Sequence, residues 1–136
     1  MKSHHLYVCV FCICFLVLSV GCGGLKRLEG RVTFEDDGSP LDRGSVVFVQ
    51  GNMESRALIR PDGTFTVGTH AERDGIPSGE FQVYISGADV QQLDNRGNAV
   101  FVLLIDEKYT LPQTSGIVYN SATSPSPFNI TVSRPQ

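Results

Sequence analysis

From residue 28 onward, apolar residues recur at every second position in short runs, and each run ends in a cluster of Gly, Pro, Asp or Ser. A period of two marks strands whose faces alternate between core and solvent, and the intervening clusters are turn chemistry. Leu28 to Glu35 reads as a first strand, with Val32 and Phe34 on one face and Arg31, Thr33 and Glu35 on the other. Asp36-Asp37-Gly38-Ser39-Pro40 breaks it. Ser45 to Gln50 is a second strand, and its run Val46-Val47-Phe48-Val49 is apolar on both faces, which predicts a central strand covered on each side. Ser55 to Arg60 and Thr64 to Thr69 flank Pro61-Asp62-Gly63 and are predicted to form a hairpin. Glu80 to Ser86 has the cleanest alternation, with Phe81, Val83 and Ile85 inward.

Less regular stretches separate the remaining strands. His70 to Ser78 is expected to be a loop, and Ala88 to Asn98 is polar and expected to be an exposed one. Val100 to Ile105 fits either an extra strand or a segment laid over the core. Gly116 to Asn120 is a sixth strand, Ser121 to Pro127 a Ser/Pro-rich turn, and Phe128 to Ser133 a closing strand with Phe128, Ile130 and Val132 inward. No segment beyond residue 25 shows a period of 3.6 residues. The prediction is all-β: a single antiparallel β-sandwich of transthyretin-like or Ig-like type, with about seven strands.

The first residues follow a different pattern. Lys2 precedes an uncharged apolar run, Leu6 to Val20, which has the length of a signal h-region and falls short of the roughly 20 residues a spanning helix needs. The run ends Leu18-Ser19-Val20-Gly21-Cys22. This resembles a bacterial lipoprotein signal, in which the cysteine becomes the first mature residue and carries lipid. Ser19 stands where such signals prefer Leu, with Leu18 one position further back. Gly23 after the cysteine, rather than Asp, resembles signals forwarded to the outer membrane. Two other readings stay open: an ordinary secretory cut after Ser19-x-Gly21, and an uncut anchor. The expected division is a signal peptide over 1–21, a lipidated end and tether over 22–27, and the sandwich over 28–136.

Composition narrows the chemistry. Of the four cysteines in the 136 residues, Cys9, Cys12 and Cys14 fall within the expected signal, leaving Cys22 alone in the mature chain. No disulfide framework or zinc site follows from that. The chain is mildly acidic, with formal net charge −3. Lys26-Arg27 is its only adjacent basic pair, so a nucleic-acid footprint is lacking.

A set of short motifs then becomes informative by order and spacing. These are Glu29-Gly30-Arg31-Val32-Thr33-Phe34, Asp37-Gly38-Ser39-Pro40-Leu41, Gly44-Ser45-Val46-Val47-Phe48, Pro61-Asp62-Gly63-Thr64-Phe65, Pro77-Ser78-Gly79-Glu80-Phe81, and Lys108-Tyr109 ahead of Thr114-Ser115-Gly116. Together they resemble the carboxypeptidase-regulatory-like, transthyretin-like β-sandwich domain of planctomycete-type lipoproteins, over nearly the whole chain. Members of that group often carry Ile-Pro before the Lys-Tyr segment, whereas Ile105 here precedes Asp106-Glu107. The resemblance implies a sandwich at the cell envelope and no assigned activity.

Candidate chemistry is sparse. His70 is the only histidine beyond residue 5; Asp74 lies close to it in sequence and serines are plentiful, but no nucleophile-elbow pattern is present. Transthyretin-like enzymes that hydrolyse 5-hydroxyisourate use several histidines and end Tyr-Arg-Gly-Ser; this chain ends Ser133-Arg134-Pro135-Gln136. Asp36, Asp37 and Asp42 around one turn, and Glu72 and Asp74 in another, are the acidic groups weighed for calcium, which takes about six to eight oxygens. Acidic residues in β-turns ordinarily bond their own backbone. Tyr84, Tyr109 and Tyr119 are the candidate ligand-face residues, with amphipathic packing as the competing role.

The sequence therefore predicts a non-catalytic binding or structural module, held to a membrane of the cell envelope through lipid on Cys22, with no cofactor and no metal. An envelope protein or a glycan is its expected partner. Three rivals differ in class: a carbohydrate- or peptide-binding surface module, a small envelope hydrolase using His70, and a subunit joined to a larger complex through an exposed strand edge.

Overall fold

Among the described residues nine strands form, seven of them at the alternating runs and two more beyond the predicted number. A computed structural model describes residues 23–136; the expected signal peptide and Cys22 lie outside the described residues. The strands are β1 (Glu29–Phe34), β2 (Ser45–Gln50), β3 (Met53–Leu58), β4 (Thr64–Thr66), β5 (Glu80–Ser86), β6 (Asp89–Leu93), β7 (Ala99–Leu103), β8 (Ile117–Asn120) and β9 (Ile130–Val132). A 3₁₀ turn, Glu107–Thr110, is capped by the Asp106 carboxylate, which accepts from the Lys108 amide. The protein is all-β.

The strands make a four-stranded sheet in the order β3-β2-β5-β8, a three-stranded sheet in the order β4-β1-β9, and a separate two-stranded ribbon, β6-β7. Every ladder is antiparallel except β1 with β9, which run parallel from Val32↔Ile130 to Phe34↔Val132. The two larger sheets pack face to face as a β-sandwich. Val46, Phe48, Phe81, Val83, Ile85 and Tyr119 point inward from one sheet, and Val32, Phe34, Phe65, Ile130 and Val132 from the other. Phe48 lies 6.4 Å from Phe65 and 6.2 Å from Phe128 between ring centroids, so aromatic rings bridge the two layers.

As its sequence predicts, β2 is central, between β3 and β5, and both its faces are covered. Val46 and Phe48 face the core. Val47 is fully buried on the opposite face, with Arg56 and Tyr84 directly across from it on the neighbouring strands. A two-residue loop joins β2 to β3, with Gly51 at φ 56°, the positive value that the first central residue of a tight hairpin turn adopts.

The expected hairpin between the third and fourth strands takes another form. The chain does reverse at Pro61-Asp62-Gly63, where the Gly63 amide donates to the Arg60 carbonyl and the Arg60 amide to Thr64. However, β3 pairs with β2 and β4 with β1, so this turn is the corner where the chain passes from one sheet to the other. Beyond the turn, the backbones of the two arms meet again at an isolated bridge between Arg56 and Gly68. Phe65 and Ile59 are both core residues, and splitting the arms places them in the gap between the layers.

Ala88 to Asn98, expected to be a loop, supplies β6. Asp94 closes the β6-β7 ribbon: its carboxylate accepts from the Arg96 and Asn98 amides, and its own amide donates to the Asn98 carbonyl. At the base of the ribbon the Leu104 amide donates to the Ala88 carbonyl at 2.9 Å, beside the buried Ala88 and Ile105.

Candidate functional site

The three candidate tyrosines do not share a surface. Tyr119 is buried in the core, opposite Phe81 in the β5-β8 register, with rings at 5.8 Å from Phe48 and 5.2 Å from Phe128. Burial pushes its hydroxyl above the ordinary tyrosine range. Tyr109, on the 3₁₀ turn, is also buried, and the Lys108 ammonium sits 4.9 Å above its ring. Only Tyr84 reaches the surface, half-buried on the outer face of the four-stranded sheet. On β8 the exposed position is Val118, one residue before Tyr119.

His70 and Asp74 are close, but not as an acid–base pair. The Asp74 carboxylate accepts backbone bonds from Thr69 at 2.6 Å, Ala71 at 3.0 Å and His70 at 3.1 Å. The Thr69 amide contributes most to holding this carboxylate below its ordinary pKa. Asp74 thus shapes the 69–75 loop through its backbone amides and does not orient an imidazole. Thr69 continues the network inward: its hydroxyl donates to the Gly75 carbonyl and meets the hydroxyl of buried Ser55 at 2.7 Å.

The other acidic turns are likewise engaged. The Asp37 carboxylate accepts from the Ser39 hydroxyl and amide, and those bonds, ahead of the charge of Arg134, lower its pKa. Arg134 bridges Asp36 and Asp37 and stacks on the Phe34 ring, 3.8 Å from its centroid. Asp42 pairs with Arg43. Among the described residues, no cluster of three or more His, Cys, Asp or Glu is arranged to hold a metal ion.

Two shallow depressions mark the sandwich surface. One, about 420 Å³, lies between β3 and the 69–73 loop and is lined by Arg56, Leu58, His70 and Glu72. Its guanidinium, on Arg56, is held by Glu54 at 2.7 Å and by the Ser86 hydroxyl. The other, about 380 Å³, lies over β1 and β4 and carries Arg31 and Arg60. Arg60 donates to the Thr64 and Thr66 hydroxyls, and Arg31 to the Asp62 carbonyl.

The β6-β7 ribbon exposes several large apolar side chains. Leu93 and Phe101 are more than 70% exposed, and Val100 and Val102 about 40%. Val90, Val100 and Val102 occupy one face of the ribbon, and Leu93, Ala99 and Phe101 the other. Sequence reasoning placed no function here. The available signal was Asp94-Asn95-Arg96-Gly97-Asn98, a turn cluster flanked by two runs of similar length.

The amino-terminal end of the described chain is fixed to the opposite end of the sandwich. Lys26 and Ile76 exchange backbone hydrogen bonds at 2.8 Å, and the Lys26 ammonium donates to the Ser121 carbonyl. Ser121 in turn bonds Gly79, at the start of β5. The ribbon leaves from the other end of β5, after Ser86.

Among the described residues, no helix is long and apolar enough to cross a membrane. No family model matches the chain, and no curated protein matches it in sequence. Among solved structures, part of the crystal structure of a 9R-lipoxygenase from Cyanothece PCC8801 is similar at 13% identity, with a TM-score of 0.35 over 79% of this chain. The matched region spans 16% of that lipoxygenase, and a likeness this slight carries no argument about activity.

Proposed function

We propose that the protein is a non-catalytic module of the cell envelope, held at a membrane face by lipid on Cys22, that binds or braces another envelope component. The observation that carries this reading is the docking of Lys26 onto Ile76 and Ser121. Four residue steps separate Cys22 from Lys26, a reach of at most about 14 Å. A lipid on Cys22 would thus hold the Gly79/Ser121 end of the sandwich next to the bilayer. Each buried methylene contributes about 0.8 kcal/mol, so two or three chains make release slow. The engagement of Asp74 by backbone amides supports a binding or structural role over hydrolysis at His70.

Two measurements test this. Replacing Cys22 with Ser should move the protein from the detergent phase to the aqueous phase; retention in the detergent phase would remove the lipid anchor from the proposal. Affinity purification of the tagged full chain from detergent-solubilised envelope should return a constant envelope protein or glycan. Recovery of the chain with no such component argues against a bracing role.

A further inference from the structure

We propose that the protein pairs with a second copy of itself, edge to edge through β7, so that two β6-β7 ribbons form one four-stranded intermolecular sheet in the order β6-β7-β7-β6. The ribbon has no ladder partner among the described residues. Ala99-Val100-Phe101-Val102-Leu103 holds no charge and no Pro, and among the described residues nothing pairs with the outer edge of β7. An isolated two-stranded ribbon is marginal in water, and a third and fourth strand would stabilise it.

The ribbon's hydrogen-bond parity fixes which groups are free. Leu104 bonds Ala88 and Asp94 bonds Asn98, so residues 98, 100, 102 and 104 direct their backbone groups toward β6. The amides and carbonyls of Ala99, Phe101 and Leu103 point outward from β7. A two-fold axis through Phe101 pairs Phe101 with Phe101 of the second copy, Ala99 with Leu103, and Val100 with Val102. All outward groups then find partners, and every cross-strand pair is apolar on apolar. This is an isologous contact that closes on itself rather than extending into a fibre.

Charge favours the same arrangement. Antiparallel pairing lays the tip of each ribbon beside the base of the other. The tip carries Arg96, whose guanidinium makes no ion pair among the described residues, while Asp94 is engaged with the turn's backbone. Just past the base stands Glu107, an acceptor for Arg96 of the second copy, while Asp106 beside it caps the Lys108 amide as Asp94 caps its own turn. A β6-β6 contact would instead bring Asp89 and two glutamines to the seam. The β7 contact is small beside a standard interface of about 1,600 Å², so the dimer should be concentration-dependent.

Sedimentation of the full chain in density-matched detergent, over a concentration series, should show a monomer–dimer equilibrium. Phe101→Lys places two like charges face to face and should abolish the dimer, whereas Gln91→Lys on the β6 edge should leave it intact. Phe101 is exposed, so circular dichroism should confirm that the variant folds. As a register test, directly opposed hydrogen-bonded residues lie about 5.5 Å apart at Cα, within disulfide range. Phe101→Cys should therefore give oxidised dimer well above the level of the parent chain, and Leu93→Cys should not. A monomer at every concentration overturns the proposal. So does a dimer that survives Phe101→Lys, or a disulfide yield at Phe101→Cys no greater than the parent's.

Discussion

Tyr119 meets Phe48 edge-on, with ring centroids 5.8 Å apart and ring planes at 89°. The contact crosses the inner face of the four-stranded sheet and joins β8 to the central strand. It makes Tyr119 a packing residue, and Phe81 and Phe128 complete its surroundings.

Tyr119→Ala should therefore destabilise the domain by about 3–5 kcal/mol, the cost of deleting a large buried ring. Tyr119→Phe keeps the ring and should cost under about 1 kcal/mol. Denaturant unfolding of the two variants checks this; equal stabilities would remove Tyr119 from the core.

Gly30 should tolerate no side chain. A Cβ there would fall on the Phe128 carbonyl oxygen and against the Phe65 ring. The approach is close because the Phe128 amide donates to the Glu29 carbonyl and leads the chain into β9. Gly30→Ala should lower stability by more than about 2 kcal/mol, as overpacking against backbone does. A thermal melt reads the effect.

The 69–75 loop should be acid-sensitive. The Asp74 carboxylate has its pKa lowered from the ordinary 3.8, first by the Thr69 amide and also by those of Ala71 and His70. A group depressed in the folded state contributes stability that is fully present above its unfolded pKa and is lost as pH falls through the folded one. Loop order should thus be flat from neutral pH to about 4 and decline below that. Amide chemical shifts of Thr69 and Ala71 should titrate with a midpoint below 3.8. In Asp74→Asn that titration should vanish.

The ribbon should be dispensable for folding. Joining Ala88 to Leu104 by a two-residue Asn-Gly turn removes no residue of the main aromatic core, since these two are already hydrogen-bonded neighbours. The shortened chain should melt within about 1 kcal/mol of the parent in stability. A collapse of stability would make the ribbon part of the scaffold.

The strands were legible where alternation was strict. In β5 only one phase is compatible with Phe81, Val83 and Ile85, and that phase is observed. On β8 the neighbours Val118 and Tyr119 are both apolar enough for the core, so sequence alone left the phase open. The β5 register, Phe81↔Tyr119, decided it. The segment 88–98 read as a loop because Gln91 and Gln92 interrupt its apolar pattern; β6 forms through pairing with β7 rather than through its own burial. The exposed ribbon was hidden for a different reason: an apolar run in a sequence signals core, whereas Phe101 faces solvent in the fold. The sheet change at Pro61-Asp62-Gly63 was illegible because a tight turn looks the same whether its arms pair with each other or with different strands.

The parallel ladder between β1 and β9 joins residue 32 to residue 130, the two ends of the domain. A chain that emerges amino end first must keep its opening strand bare along one side until its last residues arrive. Closure of this sandwich is consequently a late event that depends on the whole chain. Truncation before Ile130 should leave a protease-sensitive chain, while the finished chain gains resistance in a single step once Val132 and Arg134 are in place.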